Sequence, residues 1–227
     1  MDFREASLEK GSGVMEKLES FYEDYDRELR DYHDRPIRIL EIGINWGGSL
    51  FTWRKFFPNA EKIVGVDIMP ECKKFEEGNI TVYIGDQTDA KFLRSVHEKE
   101  GPFDIIVDDG GHTMEQQQVS FRTLFPLLKD GGTYVIEDLH TSYWPGWGGK
   151  YGYTTIDMIK ELIDGLHYWA KYDRRRSFFW KVYRHFYPGV KEPRNVFEEY
   201  VRSISISDSI CFIRKGKTPN RSKKIKK

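Results

Sequence analysis

Ile105-Ile106-Val107-Asp108-Asp109-Gly110-Gly111-His112 and Thr133-Tyr134-Val135-Ile136-Glu137-Asp138 decide the fold of this chain. Each is a short apolar run that stops at carboxylates, and about one crossover helix separates them. Strands buried on both faces read as continuous apolar runs. In an open α/β sheet, ligands gather at the carboxyl ends of such strands. If the two strands are neighbours, Asp109, Glu137 and Asp138 converge with His112 beside them. Carboxylates crowded into one cleft repel each other unless a hard cation lies among them. The pattern therefore predicts a metal-assisted reaction with a histidine base.

Working outward, the same grammar repeats upstream. Ile37 to Gly43 is a buried strand ending in a glycine turn, followed by a helix from Ser49 to Phe57. Lys62–Asp67 and Ile80–Asp86 are the second and third strands, with a short helix, Pro70–Glu77, between them. Ala90–Glu100 reads as a helix, Phe103–Asp108 as the fourth strand, Glu115–Leu128 as a helix and Thr133–Asp138 as the fifth strand. Strands alternating with helices at this spacing predict an α/β, Rossmann-like, doubly wound and mostly parallel sheet. Tyr200–Ile206 and Ser209–Ile213 add a C-terminal antiparallel edge, seven strands in all. Before the first strand, Val14, Leu18, Phe21, Tyr22, Tyr25 and Leu29 fall at helical spacing and predict one amphipathic helix over 13–33.

The expected organisation is an N-terminal helical segment (1–35), an α/β domain (36–215) with an aromatic insertion at about 141–195, and a disordered basic tail (216–227). The chain has 227 residues, enough for one large domain with a full core. Its formal net charge is zero, so no global field recruits nucleic acid or a membrane surface, and no nucleic-acid partner is expected. No apolar run reaches membrane-spanning length, and Met1-Asp2-Phe3-Arg4-Glu5 lacks a signal-peptide core, which predicts a cytoplasmic protein. Cys72 and Cys211, far apart in sequence, read as unpaired thiols.

The turn Glu41-Ile42-Gly43-Ile44-Asn45-Trp46-Gly47-Gly48-Ser49 opens a helix, where free amide donors and glycines let a ligand approach the backbone. Its spacing is Gly-x-x-x-Gly, not that of pyrophosphate binders. Glu41 suits a ligand bearing a cationic amino group. Asp67 can accept two hydrogen bonds from a ribose diol, and Asp86 with Gln87 can read adenine edges. Together these predict S-adenosylmethionine, contacted by Glu41, Gly43, Asn45, Gly47, Ser49, Asp67, Asp86 and Gln87. Asp108 either orients the cofactor or caps the following turn.

Glu41–Ser49, Val64–Asp67, Gly85-Asp86-Gln87, Val107–His112 and Ile136–Trp144 together resemble the class I sugar O-methyltransferases of macrolide biosynthesis. Mycobacterial polysaccharide methyltransferases and cephalosporin-hydroxylase relatives look similar. The resemblance covers roughly Pro36 to Tyr168 and the closing strand pair. It implies a class I methyltransferase fold, S-adenosylmethionine and Mg²⁺, with metal ligands at Asp109, Glu137 and Asp138 and His112 as base. The N-terminal segment reads as too short for the auxiliary domain of the macrolide enzymes, so the acceptor is not expected to carry over.

A sugar hydroxyl is a poor nucleophile, and a vicinal diol chelated to Mg²⁺ has a lowered pKa, so His112 can take its proton. Tyr143-Trp144-Pro145-Gly146-Trp147-Gly148-Gly149 joins flat faces to flexible hinges and reads as a lid that stacks on sugar, with Tyr143, Trp144 and Trp147 as substrate contacts. His140 is either a substrate contact or an ordinary loop residue. The aromatic-basic stretch 172–187 reads as an interface or an acceptor flap, consistent with a homo-oligomer. The leading expectation is methyl transfer to a sugar hydroxyl of a glycosylated natural product or a polysaccharide. A catechol-like diol as acceptor, or a non-catalytic cofactor-binding accessory subunit, are the alternatives.

Overall fold

The structure, a computed structural model, describes residues 1–11, 13–167 and 195–217. The stretch 172–187 and nearly all of the basic tail lie outside them. In chain order the elements are α1 (Phe3–Leu8), α2 (Glu19–Leu29), β1 (Arg38–Ile42), α3 (Gly48–Phe56), β2 (Lys62–Asp67), β3 (Ile80–Ile84), α4 (Ala90–Glu100) and β4 (Ile105–Asp108). Then follow α5 (Met114–Leu124), β5 (Thr133–Ile136), α6 (Thr155–Leu166), α7 (Val196–Tyr200), β6 (Val201–Ser207) and β7 (Ile210–Lys215).

The seven strands form one sheet in the order β3-β2-β1-β4-β5-β7-β6. The first five are parallel, and β7 runs antiparallel to both β5 and β6. Side chains alternate between two cores, as the period of a strand requires. Ile39, Ile63, Ile105, Val107 and Val135 pack under Phe3, Phe21, Tyr25, Trp53 and Phe56, from α1, α2 and α3. Leu40, Val64, Ile106, Tyr134 and Ile136 face Leu93, Val96, Phe121, Leu124 and Met158, from α4, α5 and α6. Among the described residues, no helix is long and apolar enough to cross a membrane.

The register positions the site. Ile42 lies beside Asp108, and Asp108 beside Ile136. The next residues, Gly43, Asp109 and Glu137, therefore leave the sheet side by side. The order reverses between β1 and β4, the switch point where open α/β sheets leave a crevice.

Three expectations change. The helix expected over 13–33 starts only at Glu19 and passes into a 3₁₀ turn, Arg30–Tyr32. Gly13 takes a positive φ of 77° and the chain to Leu18 is non-helical, leaving Val14 and Leu18 exposed. An unexpected helix, α1, begins with a capping box in which Asp2 accepts from the Glu5 amide and Glu5 from the Asp2 amide. The helix expected over 115–128 ends at Leu124 and tightens into a 3₁₀ turn containing Pro126, whose ring cannot continue an α-helix.

Candidate active site

A cleft of about 770 Å³ opens over the carboxyl ends of β1, β2, β4 and β5. Its floor is the Gly43–Trp46 turn, Asp67–Met69 and Gly85–Gln87 at one end, and Asp109–His112, Glu137 and Asp138 at the other. Residues 14–18 cross it as a strap.

At the acidic end, Asp109, His112 and Asp138 each offer a ligand atom within 4.8 Å of the others. His112 Nε2 lies 3.4 Å from Asp138 Oδ2, and His112 Nδ1 is buried without a hydrogen-bond partner. His112 and Asp138 both adopt left-handed backbones, with φ of 57° and 55°. Such residues cost about 1–3 kcal/mol each and persist only where their surroundings hold them. One holder is Thr141, whose Oγ1 lies 2.9 Å from the His112 carbonyl and 2.8 Å from that of Asp138. The start of α5 supplies another, a capping box between Thr113 and Gln116 directly after His112.

Glu137 turns away from this group. Its Oε1 accepts from Lys17 Nζ at 2.5 Å and from the Tyr25 hydroxyl. The same ammonium donates to Asp109 Oδ2 at 2.8 Å and lies 4.0 Å from Glu41 Oε1. A cation does lie among the crowded carboxylates, and it is a lysine from the strap. Burial pushes Asp109 and Glu137 up to about 7, against the pull of that ammonium. Burial also disfavours the charge on Lys17, but Asp109, Glu137 and Glu41 hold its pKa above the ordinary range.

At the other end, most of the expected cofactor contacts are engaged with the protein. Asp67 Oδ2 accepts from the amides of Ile44 and Asn45 at 2.9 and 3.0 Å, and its Oδ1 from that of Met69 at 2.9 Å. It thus shapes the glycine turn while still lining the cleft. Glu41 is fully buried, with Oε2 accepting from Ser49 Oγ at 2.7 Å, and its burial raises it to about 7. Gln87 bridges two loops, donating to Asp108 Oδ1 at 3.1 Å and accepting from the Gly111 amide at 2.8 Å. Asp108 accepts from Gln87, Ser120 and Tyr134 and is buried behind the cleft wall. Burial pushes its carboxyl up to about 6. Asp86 faces the cleft, with Oδ1 held by the Thr88 amide and hydroxyl at 2.7 and 2.8 Å. Gly43 has φ of 82°, and a Cβ there would meet the Asp109 carbonyl oxygen at 2.0 Å. Gly47 caps α3 in the left-handed region.

His140 lines the cleft, with Nδ1 2.5 Å from Ser209 Oγ. Its ring meets Trp144 edge-on at 4.5 Å, and Trp144 meets Trp147 at 5.3 Å. Both tryptophans and Tyr143 are exposed, outside the cleft lining. They form a shelf beside the acidic end.

Sequence reasoning missed Lys17 and Tyr25 as site residues, and also the exposed apolar rim of Trp46, Ile68 and Met69. A signal for Lys17 was present. It lies three residues from Val14 and four from Phe21, on the stripe read as apolar.

Residues 40–139 match the family described as "Methyltransferase domain". The 8-demethyl-8-(2-methoxy-alpha-L-rhamnosyl)-tetracenomycin-C 3'-O-methyltransferase of Streptomyces olivaceus is 46% identical over 63% of this chain and 40% of that protein. The mycinamicin VI 2''-O-methyltransferase of Micromonospora griseorubida is 38% identical over 88% of this chain and 49% of its own length. The chain thus spans less than half the length of these two relatives. The solved MycE methyltransferase of the mycinamycin biosynthetic pathway, in complex with Mg and SAH, superposes with a TM-score of 0.80 at 31% identity, covering 97% of this chain and 55% of that one. Residues 40–139 thus match a methyltransferase domain, the sheet has the fold of the solved MycE methyltransferase, and the chain is similar along most of its length to O-methyltransferases named for mycinamicin and tetracenomycin substrates.

Proposed function

We propose that the domain transfers a methyl group from S-adenosylmethionine to a sugar hydroxyl of a glycosylated small molecule, with Mg²⁺ at the acidic end of the cleft. The observation that carries this reading is the convergence of Asp109, His112 and Asp138 at the mouth of the cleft whose other end is the glycine turn. The donor set fits a hard divalent ion, because the carboxylates of Asp109 and Asp138 offer oxygen ligands within reach of one position. The glycine turn fits the cofactor. It lines one end of the cleft, and the rim of Trp46, Ile68 and Met69 offers apolar faces to a purine.

Asp109 and Asp138 would hold the metal, with Glu137 reaching it where Lys17 yields. Mg²⁺, when bound, would fix two neighbouring oxygens of the acceptor and make its hydroxyl more acidic. His112 lines the cleft with its Nε2 beside Asp138, which supports its reading as the base that takes the acceptor proton. Asp67 and Gln87 keep the cofactor loops in shape, and Asp108 anchors Gln87 from behind. The exposed rings of Trp144 and Trp147, inclined to each other beside His140, each offer an apolar face to a sugar ring. The tetracenomycin relative is named for a rhamnosyl-bearing substrate, which supports a sugar acceptor.

The test is transfer of radiolabelled methyl from S-adenosylmethionine to a panel of glycosides and catechols, with Mg²⁺ or with EDTA. Metal-dependent labelling of a glycoside is expected. Labelling of catechols alone, or labelling that EDTA leaves unchanged, would contradict the reading.

A further inference from the structure

The strap is fixed on both sides of Lys17. Its Val14 carbonyl presses on Gly48 so closely that a Cβ there would lie 2.2 Å from the oxygen. Leu18 runs directly into α2. Between these points the Lys17 side chain, 1% exposed, reaches Asp109, Glu137 and Glu41 and passes over the Tyr25 ring at 5.7 Å. Asp109 belongs to two groups at once, one with Lys17 and Glu137, the other with His112 and Asp138.

We propose that Lys17 is the resident counter-cation of the acidic end, a positioning residue that holds Asp109 and Glu137 in place when no metal is bound and lowers that end's affinity for a divalent cation. The inference rests on the reading of this end as a metal site. An ammonium bonded to a carboxylate that also faces the metal position repels a divalent charge there, strongly so away from water. It also engages Glu137, which a metal ion must share with it or win from it. A stabilising role alone is a weaker account, since a buried ion pair adds little that apolar packing would not. Tyr25 completes the arrangement, because its hydroxyl donates to the same Glu137 oxygen as the Lys17 ammonium.

The experiment titrates Mg²⁺ calorimetrically into the wild type, Lys17→Met and Lys17→Arg, and follows thermal unfolding of each with EDTA and with Mg²⁺. Lys17→Met is expected to bind Mg²⁺ about tenfold more tightly. It should unfold at a lower temperature in EDTA and recover with Mg²⁺, whereas Lys17→Arg should stay near the wild type. Equal or weaker Mg²⁺ binding by folded Lys17→Met overturns the proposal. Should Lys17→Met fail to fold under either condition, the ¹⁵N resonance of the wild-type Lys17 ammonium decides. A shift that saturates with the Mg²⁺ binding curve is expected, and an unmoved signal overturns the proposal. A wild type that binds S-adenosylmethionine but no Mg²⁺ removes the metal reading, and this inference with it. A wild type that binds Mg²⁺, with Lys17→Met unchanged, removes only the inference.

Discussion

The two ends of the cleft differ in how far their polar side chains are engaged with the protein, with His112 and Asp138 the least engaged. Under β1 to β3, Asp67 accepts three backbone amides, Gln87 spans two loops and Glu41 is turned into the core toward Ser49. Beyond β4 and β5, His112 keeps a ring nitrogen without a partner, and Asp138 lies beside the rings of His112 and His140. The difference teaches how to sort strand-end residues. Those that have spent their hydrogen bonds on the protein build the shape that a cofactor fills. Those held in strained backbone with capacity left over are candidates for chemistry.

The largest effect should come from the open end. His112→Ala is expected to lower kcat by about 100-fold or more, the range for loss of a general base, while S-adenosylmethionine binds as before. Equal loss of cofactor affinity would erase the contrast between the ends. Next is the closed end's framework. Gly43→Ala forces a side chain onto the Asp109 carbonyl at positive φ, and should cost roughly 3 kcal/mol in urea unfolding. Gln87→Ala leaves Asp108 Oδ1 and the Gly111 amide without their partner. It should cost about 1–3 kcal/mol of stability, and weaken cofactor binding only as the loops loosen. If Gln87→Ala instead abolished cofactor binding at full stability, Gln87 would be a direct contact after all. Smallest is the shelf. Trp144→Ala removes one stacked face, worth about 0.5–1.5 kcal/mol. That should appear as a several-fold rise in the acceptor KM with kcat unchanged.

How much was legible follows from the same contrast. The parallel sheet was readable because strands buried on both faces must be apolar throughout, as Ile105-Ile106-Val107 and Tyr134-Val135-Ile136 are. The meeting of Asp109 with Glu137 was readable because adjacent strands end in register. Lys17 was legible only as a charge on an apolar stripe, since its partners lie 92 and 120 residues away and helical spacing describes only local neighbours. That spacing drew a helix through residues whose real path is set by Gly13 and by ion pairs in the cleft. The roles of Gln87 and Asp108 were also hidden. Composition at a strand end says that a side chain can bond, and only the fold says what it bonds to. The Asp2 and Glu5 pair that starts α1 is itself a capping pattern in the sequence.

The central claim is that one cleft holds a nucleotide cofactor at its closed end and a divalent ion at its open end. Calorimetric titration of S-adenosylmethionine and of Mg²⁺ into the wild type and Asp138→Ala tests it most directly, because Asp138 lies outside the Lys17 network. The account predicts that the wild type binds both, and that Asp138→Ala keeps the cofactor while losing Mg²⁺ affinity by about tenfold or more. Failure of the wild type to bind S-adenosylmethionine, or undiminished Mg²⁺ binding by Asp138→Ala, would contradict it.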